Sequence, residues 1–140
     1  MDIKWLKGSE DLSDAFYVRR EVFVKEQGID EKIEWDEMDA KSDHIVIYME
    51  ARPVATGRLV IADGQYMLGR IAVLKEYRGQ NLGKVLVENL IEKAFQKGAR
   101  EIHIHAQISV KAFYEKLGFK AYGDVYEEAG IEHINMKILI

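Results

Sequence analysis

One short segment of the chain has the make-up of an anion-binding turn: Glu76-Tyr77-Arg78-Gly79-Gln80-Asn81-Leu82-Gly83-Lys84. It follows an apolar, strand-like run and opens a stretch of helical periodicity. Backbone N–H groups in a helix's first turn lack intrahelical partners and point outward. The macrodipole adds partial positive charge at the same end, so a phosphate or pyrophosphate fits there. Arg78 and Lys84 add two cations. The turn is not a Walker A loop, because Gly79 and Gly83 stand one residue too close and Val85 takes the place of the magnesium-binding Ser or Thr. Nor is it the G-x-G-x-x-G of a dinucleotide fold. The plainer reading is a solvated helix start with a glycine turn. Proton-handling groups lie elsewhere. His133 falls on the polar face of a terminal strand pattern, and imidazole titrates near neutral pH. His103 and His105 share one strand face, but two imidazoles without an anchored third ligand do not make a metal site.

The elements that must position these groups alternate in type. Ile3 to Leu6 reads as a short strand. Ser9 can cap a helix with apolar positions Leu12, Ala15, Phe16, Val22 and Phe23, ended by Gly28. Arg19 comes seven residues after Leu12 and Glu26 seven after Arg19, so both fall on the inward face. A charge there needs a partner or a function, and the two could neutralise each other. Asp30 to Asp43 is an irregular stretch with seven carboxylates. It reads as a solvated loop, or, if it overhangs a pocket, as an attractor of cationic amines. Ile45–Met49, Val54–Ala62 and Tyr66–Leu74 form an antiparallel meander, with Asp63-Gly64 as a hairpin signal. Leu82 to Phe95 is helical, stopped by Lys97-Gly98. Glu101–Ala106 is a strand parallel to its predecessor across that helix. A helix over Ser109–Gly118 and strands Phe119–Tyr126 and Ile131–Ile140 close the chain. The pattern predicts one domain over residues 1–140, of α+β (mixed α/β) class, antiparallel early and parallel late.

The turn at Arg78–Gly83 resembles the acyl-CoA pyrophosphate loop of the GNAT superfamily of N-acetyltransferases, Arg/Gln-x-x-Gly-x-Gly/Ala. Asn81 stands in the fourth position in place of glycine, and Asn is the next-best residue for a left-handed backbone. Ala112-Phe113-Tyr114-Glu115-Lys116-Leu117-Gly118-Phe119 is similar to a string in the family's late helix. Val18-Arg19-Arg20-Glu21-Val22-Phe23-Val24-Lys25-Glu26-Gln27 resembles the first helix of one small bacterial branch. So does the ending Gly130-Ile131-Glu132-His133-Ile134-Asn135-Met136, with Glu132 where that branch has proline. The resemblance spans nearly the whole chain and keeps the order of elements. It implies a GNAT-like central mixed sheet with the parallel βαβ unit near an acyl-CoA site.

Acetyl transfer to an amine needs three things. A base must deprotonate an ammonium of pKa about 10.4. Donors must await the oxyanion. The departing thiolate needs a proton. The resemblance places Tyr114 near the cofactor sulfur as the acid; its plainer reading is a core aromatic. His133 and Glu26 are the candidate bases; the plainer readings are a satisfied strand histidine and an ion-paired carboxylate. Ile71, Ala72 and Val73 match the strand that receives the thioester carbonyl and pairs with the pantetheine arm like an added strand. Arg78, Gly79, Gln80, Asn81, Leu82, Gly83 and Lys84 would hold the pyrophosphate, and Phe113 belongs with them. Ser109 takes the place of a family asparagine that touches the arm, but an ordinary helix N-cap is the simpler reading.

Composition narrows the alternatives. The 140 residues carry 20 Lys+Arg against 24 Asp+Glu, a net −4, so no basic excess exists to neutralise nucleic-acid phosphates. With no cysteine, a thiol nucleophile and thiolate metal sites are excluded, which suits direct attack in a ternary complex. No apolar run reaches the roughly 18 residues of a membrane span. Met1 to Glu10 has no hydrophobic signal core, so a cytoplasmic location is the default. The expected ligands are acetyl-CoA as co-substrate, a small-molecule or peptide amine and no metal. The apolar end Ile138-Leu139-Ile140 could serve a homodimer or the monomer's own sheet. The rival reading is a catalytically silent acyl-CoA-binding or interaction domain, suggested by Asn81 and the missing proline. A nucleotide hydrolase is disfavoured by the loop spacing.

Overall fold

The computed structural model describes every residue from Met1 to Ile140. Its strands are β1 (Asp2–Lys7), β2 (Asp43–Met49), β3 (Arg52–Ala62), β4 (Gln65–Val73), β5 (Glu101–Gln107), β6 (Lys120–Glu128) and β7 (Ile131–Leu139). They form one sheet in the order β1-β2-β3-β4-β5-β7-β6. Neighbours β1 to β4 are antiparallel, β4 and β5 are parallel, and β7 runs antiparallel to both β5 and β6. This is the expected mixed α+β sheet. The β3–β4 turn is Asp63-Gly64 with φ of 52° and 75°, the left-handed pair that a two-residue hairpin requires. Helix α3 (Leu82–Gln96) is the crossover between the parallel strands.

Six consecutive residues of β3, Val54 to Leu59, are buried, so the sheet is covered on both faces. Gly57 faces Leu90 of α3, where an added Cβ would lie 2.9 Å from Leu90 Cδ1. Arg58, pointing the other way, meets the acidic segment that packs beside helix α1 (Ser13–Arg19). No helix is long and apolar enough to cross a membrane.

Two expectations for the N-terminal half are corrected. The first helix is not a continuous α-helix capped by Ser9. It starts after Leu12, with the Asp11 carboxylate accepting from the Ser13 N–H at 2.9 Å, and passes at Arg20 into a π-helical stretch, Arg20–Glu26. There the Gln27 N–H reaches back five residues to the Val22 carbonyl. The wider turns rotate Glu26 away from the face that it would share with Arg19 in an α-helix. The acidic segment is not a solvated loop either. It folds as a short helix α2 (Glu31–Glu34) and a 3₁₀ turn (Glu37–Lys41), the latter closed by a capping box between Asp36 and Asp39.

Candidate active site

The sheet opens where β4 leaves β5. Parallel pairing runs from Tyr66 opposite Ile102 to Leu68 opposite Ile104 and stops. Immediately beyond, Thr56 pairs with Ala72 and Arg58 with Gly69, so Gly57 alone opposes Arg70 and Ile71. Arg70 takes a left-handed φ of 51°. Such a bulge bends its strand, and a cleft of about 1070 Å³ lies beside the diverging strands. Of the residues expected to hold the cofactor, all but Gln80 line it, and so do Tyr114, His133 and Glu26.

One wall is β4 and the turn that follows. Gly79 (φ 83°) and Asn81 (φ 63°) are both left-handed, so Asn81 does the conformational work of the glycine it replaces. The first amide of α3 to find a carbonyl is that of Val85, which donates to Asn81 O at 3.1 Å; the amides of Gly79 to Lys84 have no acceptor in the protein. The helix start has neither a side-chain cap nor an acidic residue in its first turn. That combination suits an external anion such as a pyrophosphate. Gly83 is tightly approached: a Cβ there would lie 3.2 Å from Cζ of Phe113. Arg78 is tied down, its Nε donating to the Val73 carbonyl at 3.0 Å and its two Nη groups to the Glu26 carboxylate at 2.7 Å each.

The facing wall comes from β5, helix α4 (Lys111–Lys116) and β7. Tyr114 is buried, edge-on to Phe113 and Phe119 with ring centroids 5.0 and 5.8 Å apart. Its hydroxyl has no hydrogen-bond partner in the protein, and burial pushes its pKa well above the ordinary 10. It therefore stays protonated at neutral pH and available as a donor. Ser109 is not an N-cap; it sits in the single turn Ile108–Val110, Val110 precedes α4, and no side chain caps that helix.

His133 is buried, stacked on Tyr126 at 6.0 Å. Its Nδ1 lies 2.7 Å from the Ile131 carbonyl. A carbonyl only accepts, so Nδ1 carries the hydrogen and the Nε2 lone pair is free to take a proton. Nε2 stands 3.7 Å from Oε2 of Glu128. Oε1 of Glu128 lies 3.3 Å from His105 Nδ1. The His105 hydrogen bond, then the charges of His105, His133 and Arg70, hold Glu128 below the usual carboxylate range despite its partial burial. His103 shares that strand face but lies outside the cleft, between Tyr122 and Glu101.

Glu26 suits the role of base poorly. Its hydrogen bonds to Arg78 hold its carboxyl below the usual range, and a carboxylate already shared with a guanidinium is a weak proton acceptor. Arg19 does not pair with it. Fully buried, Arg19 binds Glu34 (2.8 Å) and Asp39 (2.7 Å) beneath the rings of Phe16 and Trp35. Arg58 completes the set with Asp36 (2.7 Å) and Asp39 (2.9 Å), and Arg70 with Glu34 and Asp36 (3.1 Å each). The carboxylates of the acidic segment are thus matched inward rather than offered to solvent. No group of three or more His, Asp or Glu side chains is set to hold a metal ion.

Residues 9–140 match the model of the acetyltransferase (GNAT) domain. The chain belongs to the GNAT family. This GNAT protein is 40% identical over 131 residues to YjcF of Bacillus subtilis, described as an uncharacterized N-acetyltransferase, covering 93% of this chain and 94% of that one. It is 39% identical over 139 residues to YyaT of the same organism, covering 97% and 94%. An acyl-CoA N-acyltransferase from Pseudomonas aeruginosa superposes with a TM-score of 0.89 at 28% identity, covering 99% of both chains. Two residues in the GNAT cleft, Glu128 and Arg70, escape the sequence reading. Glu128 becomes visible only once the β6–β7 register sets Tyr126 opposite His133, which puts Glu128 on the same side two residues on. The signal for Arg70 is weaker still, since nothing local marks the bulge.

Proposed function

We propose that this GNAT protein transfers the acetyl group of acetyl-CoA to a primary amine by direct attack in a ternary complex. The observation that carries the reading is the cleft itself: a helix start with unpartnered amides on one wall faces a buried tyrosine and a histidine with a free Nε2 on the other. The turn Arg78–Lys84 binds the pyrophosphate, with Ser109 and Phe113 beside the pantetheine arm. The Ile71–Val73 edge, released from β5, pairs with that arm and offers N–H groups to the thioester carbonyl. His133 Nε2 takes the ammonium proton, steadied by Glu128. The amine nitrogen attacks the carbonyl carbon; the C–N bond forms, the C–S bond breaks, and the Tyr114 hydroxyl protonates the departing sulfur. Tyr114 regains its proton from solvent, and His133 releases the one it took. Glu26 acts by holding Arg78 in place.

Calorimetric titration with acetyl-CoA, with ATP as control, tests binding. Amine-dependent release of the CoA thiol tests turnover. Binding of acetyl-CoA and not ATP, with thiol release, is the expected result. Binding without release on a broad amine panel would favour the silent acyl-CoA-binding alternative.

A further inference from the structure

Glu34, Asp36, Arg58 and Arg70 line the cleft at the β4 bulge, backed by Arg19 and Asp39, and the pairing of these three arginines and three carboxylates decides what can dock there. The formal charges of Arg19, Arg58 and Arg70 against Glu34, Asp36 and Asp39 cancel, and each carboxylate already serves two arginines. A polycation finds no run of free carboxylates on this wall.

Arg70 differs from the other two arginines. Its Nε and Nη2 donate to the Glu34 carbonyl at 3.3 and 3.2 Å, and Nη2 also to Asp36 at 3.1 Å, while Nη1 donates to nothing. The one buried side-chain polar atom without a partner is Arg58 Nε, so Arg70 Nη1 keeps accessible surface on a residue that lines the cleft. The left-handed bulge fixes the Arg70 backbone, and Glu34 and Asp36 fix its guanidinium plane. A carboxylate arriving there meets a preset donor edge and forms a charge-assisted hydrogen bond with little ordering cost. A group of opposite sign shares the cleft: Glu128, beside His105 and His133. A neutral wall with one free cationic edge, near one acidic group, matches a zwitterion.

We infer that the acceptor is an amino-acid-type amine, its carboxylate held by Arg70 and its ammonium turned toward Glu128 and His133. This rests on the acetyl transfer proposed above, with the same bonds formed and broken. Arg70 then determines specificity and takes no part in the proton transfers.

The test compares the L-amino acids with their carboxamides as acceptors, following CoA thiol release, with acetyl-CoA binding measured by calorimetry in parallel. The wild-type protein is expected to favour the best free acid over its amide by about tenfold or more in kcat/KM. Arg70→Gln is expected to raise KM for that acid about 10- to 100-fold, with kcat changed far less, and to erase the preference. Arg70→Lys restores part of it, which a merely structural role would not predict. The wild-type comparison stands even if the variants fold poorly. Amides used as well as the acids, or acetyl-CoA binding with no amino acid accepted, overturns the acceptor class and leaves the cofactor reading intact. No acetyl-CoA binding by the wild type overturns both.

Discussion

Replacing Tyr114 by Phe removes one oxygen atom and separates chemistry from packing. The ring lies between Phe113 and Phe119 and keeps those edge-on contacts as Phe. The hydroxyl donates to no protein group, so its loss breaks no hydrogen bond. The oxygen is not among the buried atoms left without a partner, so its removal recovers little desolvation cost. Stability is therefore expected to stay within about 1 kcal/mol of the wild type, a Tm change of no more than about 4 °C. The same hydroxyl is the proposed donor to the sulfur. Losing a general acid costs about 10²- to 10⁴-fold in rate, or about 2.7 to 5.4 kcal/mol of transition-state stabilisation. The anion-binding turn lies on the opposite wall, so acetyl-CoA affinity should change less than threefold, an expectation that follows from a site whose binding groups are separate. Thiol release at saturating amine, thermal unfolding and calorimetry on the one variant give all three readings. Turnover unchanged in a folded, acetyl-CoA-binding variant would refute the role of Tyr114. A large Tm drop would show that the hydroxyl has a partner after all.

Other perturbations address the remaining assignments. Glu26→Gln should weaken acetyl-CoA binding a few-fold by loosening Arg78 and lower kcat only slightly; because both side chains of the pair are more than a third exposed, the stability change should stay within about 1 kcal/mol. A kcat loss of a hundredfold or more would restore Glu26 as the base. Asp39→Asn leaves Arg19 and Arg58 buried with a weakened partner and should cost about 3 to 5 kcal/mol in urea unfolding. Burial alone would raise the pKa of Asp39, but the hydrogen bond and charge of Arg19, joined by Arg58, more than offset it and hold it below the ordinary 3.8. The native carboxyl thus binds its proton more weakly than the unfolded one, and stability present above about pH 4 should fall as pH drops further. Asp39→Asn should flatten that fall. Gly8→Ala drives a methyl into the Ala40 backbone and should lower stability by about 1 to 3 kcal/mol or more, seen as an earlier thermal transition.

What the sequence reveals is whatever is decided within a few residues. Asp63-Gly64 and Asn81 declare their left-handed backbones by residue type. The apolar spacing from Leu82 to Phe95 declares its helix. Arg19 can be placed inward by counting along α1. Its partners cannot, because Glu34 and Asp39 lie fifteen and twenty residues on and inside a segment whose composition imitates a surface loop. The π-helical turn hides for a related reason: Arg20 to Glu26 have ordinary helix-forming types, and the register is set by what the helix packs against. His133 reads correctly as a member of the polar face by alternation. Its burial comes from Tyr126 on a neighbouring strand, which alternation within β7 cannot show.

The bulge at Arg70 divides β4 into two half-strands with separate obligations. Tyr66 to Leu68 are bound to β5 as well as to β3, whereas Ala72 and Val73 keep β3 on one side and have no β5 partner on the other. Because Gly57 opposes two residues of β4, Arg70 falls on the same side as Gly69 and alternation resumes at Ile71; deleting that single residue would keep Ala72 opposite Thr56 and Val73 opposite Ala55 and would take the bend out of the strand. Substituting it would leave their facing unchanged. The extra residue thus sets how β4 bends and where one guanidinium sits, while the pairing of β3 with β4 on either side of it does not depend on its presence.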